Sequence, residues 1–140
     1  MTRPRIVIAD DEKPIRSATR IVLENAGYEV IQASSGFEVI EALEKNKDGG
    51  KPVDLVLLDL QMPYCSGEET LKQIETFVPY PWIVLMTGNL MFERNQEIEI
   101  PRYSGILVKP FDRNTLLKTV SGILPDNQTC RNNFQLSSRL

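Results

Sequence analysis

The stretch Asp54-Leu55-Val56-Leu57-Leu58-Asp59-Leu60-Gln61-Met62-Pro63 decides how the rest of the chain is read. Four apolar residues in a row, with β-branched Val56 among them and turn signals on both sides, have the habit of a short strand buried on both faces of a parallel sheet. Such a strand has no use for a terminal carboxylate. Asp59 nevertheless stands where the strand leaves the core, and Met62-Pro63 forces a loop soon after. Turn and cap preferences explain many aspartates at strand ends, so Asp59 acquires meaning only from what other strands bring beside it.

Four further runs have the same character. Arg5-Ile6-Val7-Ile8-Ala9 ends in Asp10-Asp11-Glu12, and Tyr28 to Ala33 is a second short strand. Pro81 to Met86 ends in Thr87-Gly88-Asn89, and Gly105-Ile106-Leu107-Val108 ends in Lys109-Pro110-Phe111. Helices alternate with these strands. Pro14 suits a first helical turn, Ile15, Ala18, Val22 and Ala26 fall on one face, and Gly27 ends the helix. Ser35-Gly36-Phe37-Glu38 is a capping box that opens a helix carrying Val39, Ile40 and Leu43. Lys45 to Pro52 reads as a solvated loop, and Ser66-Gly67-Glu68-Glu69 is a second capping box for a helix running to about Phe77. Leu90 to Ile100 is mostly polar and closed by Pro101, so the fourth helix is expected to be short or mobile. Asp112 caps a last helix on which Leu116, Val120 and Ile123 share a face. Five strand-helix units with apolar strands predict an α/β fold, a doubly wound five-stranded parallel sheet with about five helices.

The bulk of the chain fits that picture. Its 140 residues suffice for one core and are too few for two. Hydrophobic residues make up 41% and charged ones 25%, the balance of a globular domain. We expect one domain over residues 4–124. Residues 125–140, rich in Asn, Gln and Ser, read as a disordered tail or the start of a linker. A net charge of −3 and the lack of a basic stripe argue against direct nucleic-acid binding. No apolar run approaches a membrane span or a signal peptide, so a cytoplasmic location is expected. Cys65 and Cys130 read as free thiols, and the absence of histidine excludes Ser-His and Cys-His nucleophile pairs and His-ligated zinc.

In an open parallel sheet the carboxyl ends of the strands share one rim, where ligands bind. Strand one delivers Asp10 and Asp11 there, strand three Asp59, strand four Thr87 and strand five Lys109. Two carboxylates about 5 Å apart repel by roughly 3 kcal/mol at an effective dielectric of about 20. Three acids facing one lysine therefore call for a further cation. Hard oxygen ligands without Cys or His select Mg²⁺ or Mn²⁺, and Mg²⁺ readily adds phosphate oxygens to its shell. Asp59, central in the group, is the candidate nucleophile toward phosphorus, with Lys109 neutralising charge and the Thr87 hydroxyl bonding the new phosphoryl group.

With these motifs in view, the chain from about Pro4 to Leu124 resembles the receiver domain of two-component response regulators, including the chemotaxis type. The resemblance rests on Asp10-Asp11, on Asp59-x-x-Met62-Pro63 with Gly67 further on, on Thr87-Gly88 and on Lys109-Pro110-Phe111. It implies a flavodoxin-like strand order 2-1-3-4-5 and a signalling domain, not an enzyme, beyond self-phosphorylation from small donors and slow self-dephosphorylation. Asp59 would accept phosphate from a histidine kinase or a histidine phosphotransfer protein. Asp11, Asp59 and the backbone carbonyl of Gln61 would ligate Mg²⁺, with Asp10 acting mostly through a metal-bound water. Lys109 would bridge to the phosphoryl group across a cis bond to Pro110, and Thr87, with Gly88 beside it, would be the switch hydroxyl. Gln61 and Asn89 would tune the phosphoryl lifetime. The fourth helix, fifth strand and fifth helix would form the output face, through which a phosphorylation-dependent homodimer could also pair.

The chain departs from the family pattern at two positions. Ile106 stands where an aromatic ring is usual, and Arg102 where a glycine is usual, so the output face is expected to be atypical. Two other classes compete with a phosphorylation switch. One is a degenerate receiver that binds a partner without phosphorylation. The other is a phosphatase of the haloacid-dehalogenase type, which places a second aspartate two residues after the nucleophile, where this chain has Gln61. Trp82 and Met86 read as packing, while Phe92 and Tyr103 read as output-face contacts or as cover for a loosely packed helix.

Overall fold

Alternation along the central strands explains why their interiors are continuously apolar. In the computed structural model, which describes residues 3–47, 51–62, 66–77, 80–88 and 104–124, alternate residues along each of the central strands enter two separate cores. The strands are β1 (Arg5–Ala9), β2 (Glu29–Ala33), β3 (Leu55–Asp59), β4 (Trp82–Thr87) and β5 (Gly105–Val108). The helices are α1 (Lys13–Asn25), α2 (Gly36–Asn46), α3 (Gly67–Ile74) and α4 (Arg113–Ile123), the last being the helix after β5. All neighbouring strands are parallel, in the order β2-β1-β3-β4-β5. The flavodoxin-like doubly wound sheet is therefore observed, with four helices among the described residues.

On one face, strand residues Val7, Val56, Leu58, Ile83 and Leu85 pack with Val39 and Leu43 of α2 and Leu71 and Ile74 of α3. On the other, Ile6, Ile8, Leu57, Val84, Met86 and Leu107 pack with Leu23 of α1 and Leu116 and Val120 of α4. The order reverses direction at β1 and β3, which opens a crevice beyond their carboxyl ends.

Helix starts follow the capping chemistry. Ser35 Oγ accepts from the Glu38 N–H at 3.3 Å, Ser66 Oγ from Glu69 at 3.2 Å and Asp112 Oδ1 from Thr115 at 2.7 Å. Glu38 closes its box one residue early, accepting from the N–H of Ser34 at 2.7 Å. Gly27, with φ +100°, supplies the left-handed residue that ends α1.

Several expectations need correction. The buried face of α1 is centred on Thr19 and Leu23, with Val22 and Ala26 of the expected face packed partly buried against the same core; Ala18 is exposed. A threonine is tolerated there because its hydroxyl donates to the Ile15 carbonyl at 2.8 Å. Helix α2 continues through Asn46, so Lys45 belongs to its last turn and not to the loop. Helix α3 ends at Ile74, although Phe77 remains buried. Trp82, expected to be packed, is 51% exposed. Ile123 at the end of α4 lies by Gly105, which pairs in register with Val84, two residues further along β4 than Trp82. The expected helix within 90–100, the tail at 125–140, and Cys65, Asn89, Phe92, Arg102, Tyr103 and Cys130 lie outside the described residues.

Candidate functional site

Two strand ends set the floor of the crevice. The backbone N–H of Asp10, just past β1, donates to the Ala33 carbonyl at 3.1 Å and extends the β1–β2 pairing. Asp10 Oδ1 accepts from the Glu12 N–H at 2.9 Å, and the residue is wholly buried. Asp59 closes β3, is 4% exposed, and its Oδ1 accepts from the Gln61 N–H at 2.9 Å. In both places a carboxylate caps the turn that follows it, which meets the turn preference and still leaves a second oxygen for other partners.

Lys109 supplies the counter-charge. Its Nζ lies 2.7 Å from Asp10 Oδ2, 2.9 Å from Asp59 Oδ2 and 3.8 Å from Glu12 Oε1. Its backbone N–H donates to the carbonyl of Thr87, the fully buried last residue of β4, at 2.7 Å. The Lys109–Pro110 peptide is cis. Burial holds the Asp59 carboxyl above its ordinary value, against the lowering effect of Gln61 and Lys109. For Lys109, burial pulls the ammonium down, but the bonds to Asp10 and Asp59 outweigh it and raise its pKa.

Asp11 is exposed at the mouth of the site, and one carboxylate oxygen each from Asp10, Asp11 and Asp59 lies within 4.8 Å of the others. A cleft of about 710 Å³ opens above them. Asp11, Glu12, Asp59, Gln61 and Lys109 give it a polar side, and Ile15, Ala18, Pro110 and Phe111 an apolar wall. Gly88 also lines it, whereas Ile106 lies half-buried against the core on the Ile83 and Leu85 side. The position of Asn89 is not described. Sequence reading did not assign Glu12 or the wall residues to the site. Glu12 carried a signal as the third acid after β1, whereas the wall becomes visible only once α1 and the loop after β5 are seen side by side.

The donor set suits a small hard cation. Oxygens around Mg²⁺ lie about 2.0–2.1 Å from the ion, so opposite ligands are roughly 4.2 Å apart. One oxygen from each of the three acids lies within 4.8 Å of the others, close enough for a single such ion to gather them. Oxygen-only donors and a negative excess are the chemistry of Mg²⁺ and Mn²⁺ sites.

Helix α3 crosses closely behind the site. A Cβ on Gly67 would fall 2.7 Å from Leu60 Cα and 2.8 Å from the Asp59 carbonyl oxygen, so only glycine allows this approach to the end of β3.

Comparison with known proteins gives a consistent result. The family described as the response regulator receiver domain matches residues 6–121. Sporulation initiation phosphotransferase F of Bacillus subtilis is 30% identical over 128 residues, covering 89% of this chain and 97% of its own length. Other curated relatives are longer, and the chain spans 17% of one and 52% of another. Among solved structures, the chemotaxis response regulator CheY4 of Vibrio cholerae is 31% identical with a TM-score of 0.77, covering 88% of this chain and 100% of CheY4. The response regulator TrrA of Thermotoga maritima, solved in complex with Mg²⁺-BeF, is 29% identical with a TM-score of 0.71, over 86% of this chain and 99% of TrrA.

Proposed function

The chain belongs to the response regulator receiver family of two-component signalling, and on that premise we propose that Asp59 is its phosphoacceptor. The donor is a phosphohistidine on a sensor histidine kinase or a histidine phosphotransfer protein. A carboxylate oxygen of Asp59 attacks phosphorus, the P–N bond breaks, and the imidazole leaves with the electron pair and takes up a proton. The product is an acyl phosphate. The observation that carries this reading is the convergence of Asp10, Asp11 and Asp59 within 4.8 Å, with Lys109 Nζ 2.9 Å from Asp59.

Each neighbouring group has a place in the proposal. Asp11, Asp59 and the Gln61 carbonyl would hold Mg²⁺ or Mn²⁺, with Asp10 reaching it through water. When bound, the ion supplies neutralising charge to the phosphoryl oxygens. Lys109 supplies the second positive charge, and the Thr87 hydroxyl bonds the phosphoryl group once it is attached. Because the Lys109 N–H is tied to the Thr87 carbonyl at 2.7 Å, the ends of β4 and β5 respond as a unit. That response reaches the output face around β5 and α4, where a partner or a second copy of the chain docks. Gln61 and Asn89 set the phosphoryl lifetime. The domain occupies residues 4–124, acts in the cytoplasm, and has no turnover chemistry beyond taking phosphate from small donors and slowly losing it. None of the helices described is long and apolar enough to cross a membrane.

One observation favours a second reading. Ile106 already packs against the core, so a constitutive binding module whose face ignores phosphorylation is the alternative. A haloacid-dehalogenase-type phosphatase lacks support, since Gln61 offers an amide where the general acid belongs.

The test is direct. Acetyl phosphate or phosphoramidate with Mg²⁺ should add one phosphoryl group, seen by intact mass, and Asp59→Asn or chelation of the metal should abolish it. Uptake of phosphate by the Asn variant would refute the assignment. Equal partner affinity with and without phosphorylation would favour the constitutive module.

A further inference from the structure

Asp10 is engaged at all four of its polar positions, three by hydrogen bonds and one by an ion pair. Its N–H donates to the Ala33 carbonyl at 3.1 Å, Oδ1 accepts from Glu12 at 2.9 Å, and Oδ2 pairs with Lys109 at 2.7 Å. The fourth position, its backbone carbonyl, accepts from Nη1 of Arg16 at 2.8 Å. Arg16 lies on α1, is half-buried, and does not line the cleft. Its Nε donates to Oε1 of Gln32 on β2 at 3.2 Å, and its own N–H donates to the Glu12 carbonyl at 3.0 Å. One guanidinium thus ties α1 and β2 to the peptide that joins Asp10 to Asp11.

We infer that Arg16 is a positioning residue for the divalent cation: by gripping the Asp10 carbonyl it fixes the turn that aims the Asp10 and Asp11 carboxylates into the site. The inference rests on the Mg²⁺ site proposed above. Of the four bonds on Asp10, the Lys109 bond is shared with Asp59 and is the one the reaction draws on, while two others come from neighbouring backbone. The Arg16 bond is the one supplied by a side chain outside the site, and its two acceptors are met by two different nitrogens, Nε and Nη1, of one rigid plane. A lysine has a single donor nitrogen to put in their place.

Charge and positioning act in opposite directions here, which makes the idea testable. A fixed positive charge beside three acids weakens their hold on another cation, so removing the charge alone would tighten Mg²⁺ binding. Removing the grip loosens the turn and weakens binding. MgCl₂ should be titrated by calorimetry into the metal-free full chain, as wild type, Arg16→Lys, Arg16→Gln and Gln32→Ala, with urea unfolding of each as a check on folding.

Positioning predicts that both Arg16 variants bind Mg²⁺ about tenfold more weakly, the scale on which loss of an outer hydrogen-bonding partner affects a metal site. Gln32→Ala should show a smaller loss in the same direction. If Arg16→Gln does not fold, Arg16→Lys and Gln32→Ala decide the matter alone. A Lys variant that binds like wild type, or a Gln variant that binds more tightly, overturns the role of Arg16. Wild type that binds no Mg²⁺ overturns the metal reading beneath it.

Discussion

Asp11→Asn should make the metal-free protein more stable and remove most of the stabilisation that Mg²⁺ confers. Asp10 and Asp59 each have an ion pair with Lys109, but Asp11 has none among the described residues. Its carboxylate lies within 4.8 Å of both other acids. At that separation each repulsion is about 3 kcal/mol for an effective dielectric of about 20, and under 1 kcal/mol, roughly, in bulk water. Lys109 offsets about one of the two repulsions, and exposure of Asp11 moves the remainder toward the aqueous limit. The net penalty is then on the order of 1–2 kcal/mol, which for a domain this size corresponds to about 4–8 °C in melting temperature.

Thermal unfolding by circular dichroism at neutral pH and low salt measures this, with and without excess MgCl₂. In metal-free buffer the variant should melt above wild type, by a margin that shrinks as salt screens the acids. At about 100 times its dissociation constant, Mg²⁺ adds roughly 2.7 kcal/mol to wild type. The variant, short of one ligand, gains much less, so the two curves should converge or cross. A metal-free variant that melts below wild type would refute the repulsion argument. An equal Mg²⁺ increment in both proteins would refute the idea that Asp11 holds the ion.

Two other perturbations read the same region. Burial raises the Asp59 pKa above its ordinary 3.8, so its contribution to stability is fully present below 3.8 and lost as pH rises through the raised value. In metal-free buffer the stability of Asp59→Asn relative to wild type should therefore grow with rising pH in urea titrations; a gap that shrinks would contradict the stated cause of the shift. Gly67→Ala would push a methyl against Leu60 Cα at 2.7 Å and the Asp59 carbonyl at 2.8 Å. Because both obstacles are backbone, we expect a loss of about 1–3 kcal/mol in urea unfolding, and an unchanged midpoint would show that the approach of α3 is not tight.

The three central strands were legible because they are buried on both faces. Ile6 to Ala9, Leu55 to Leu58 and Ile83 to Met86 are all buried, and unbroken apolar runs of that length have few other readings. The acids were legible for the opposite reason, since Asp10 and Asp59 break a hydrophobic pattern that local preference would otherwise continue. Features that depend on one element covering another were not legible. Trp82 looks like core, yet it begins β4 outside the packed layers and is exposed. Thr19 looks polar until its hydroxyl is seen bonded within α1. Arg16 looks like any solvated helical arginine, because nothing in the sequence shows that Gln32 and the Asp10 carbonyl lie within its reach.

The two edges of the sheet are built on opposite electrostatic principles. At the amino edge Arg5 donates to Asn46 and to the Lys51 carbonyl and pairs with Glu29, while its N–H is taken by Asp54. Tyr28 donates from inside the core to the Leu124 carbonyl at 3.0 Å, tying the start of β2 to the end of α4. Charges there are matched and the ends of the chain segments are fastened. At the carboxyl edge three acids share one lysine. If Asp59 is the phosphoacceptor as proposed, a phosphoryl group there would add negative charge where it is already in excess, and Lys109 would be drawn from Asp10 toward the new oxygens. A ligand shifts a conformational equilibrium only by the difference in its contacts between the two states, and here that difference is concentrated in Lys109. On the phosphoacceptor proposal, the bond from its backbone to Thr87 would make the ends of β4 and β5 the first parts of the fold to register the change, with the fastened amino edge staying in place.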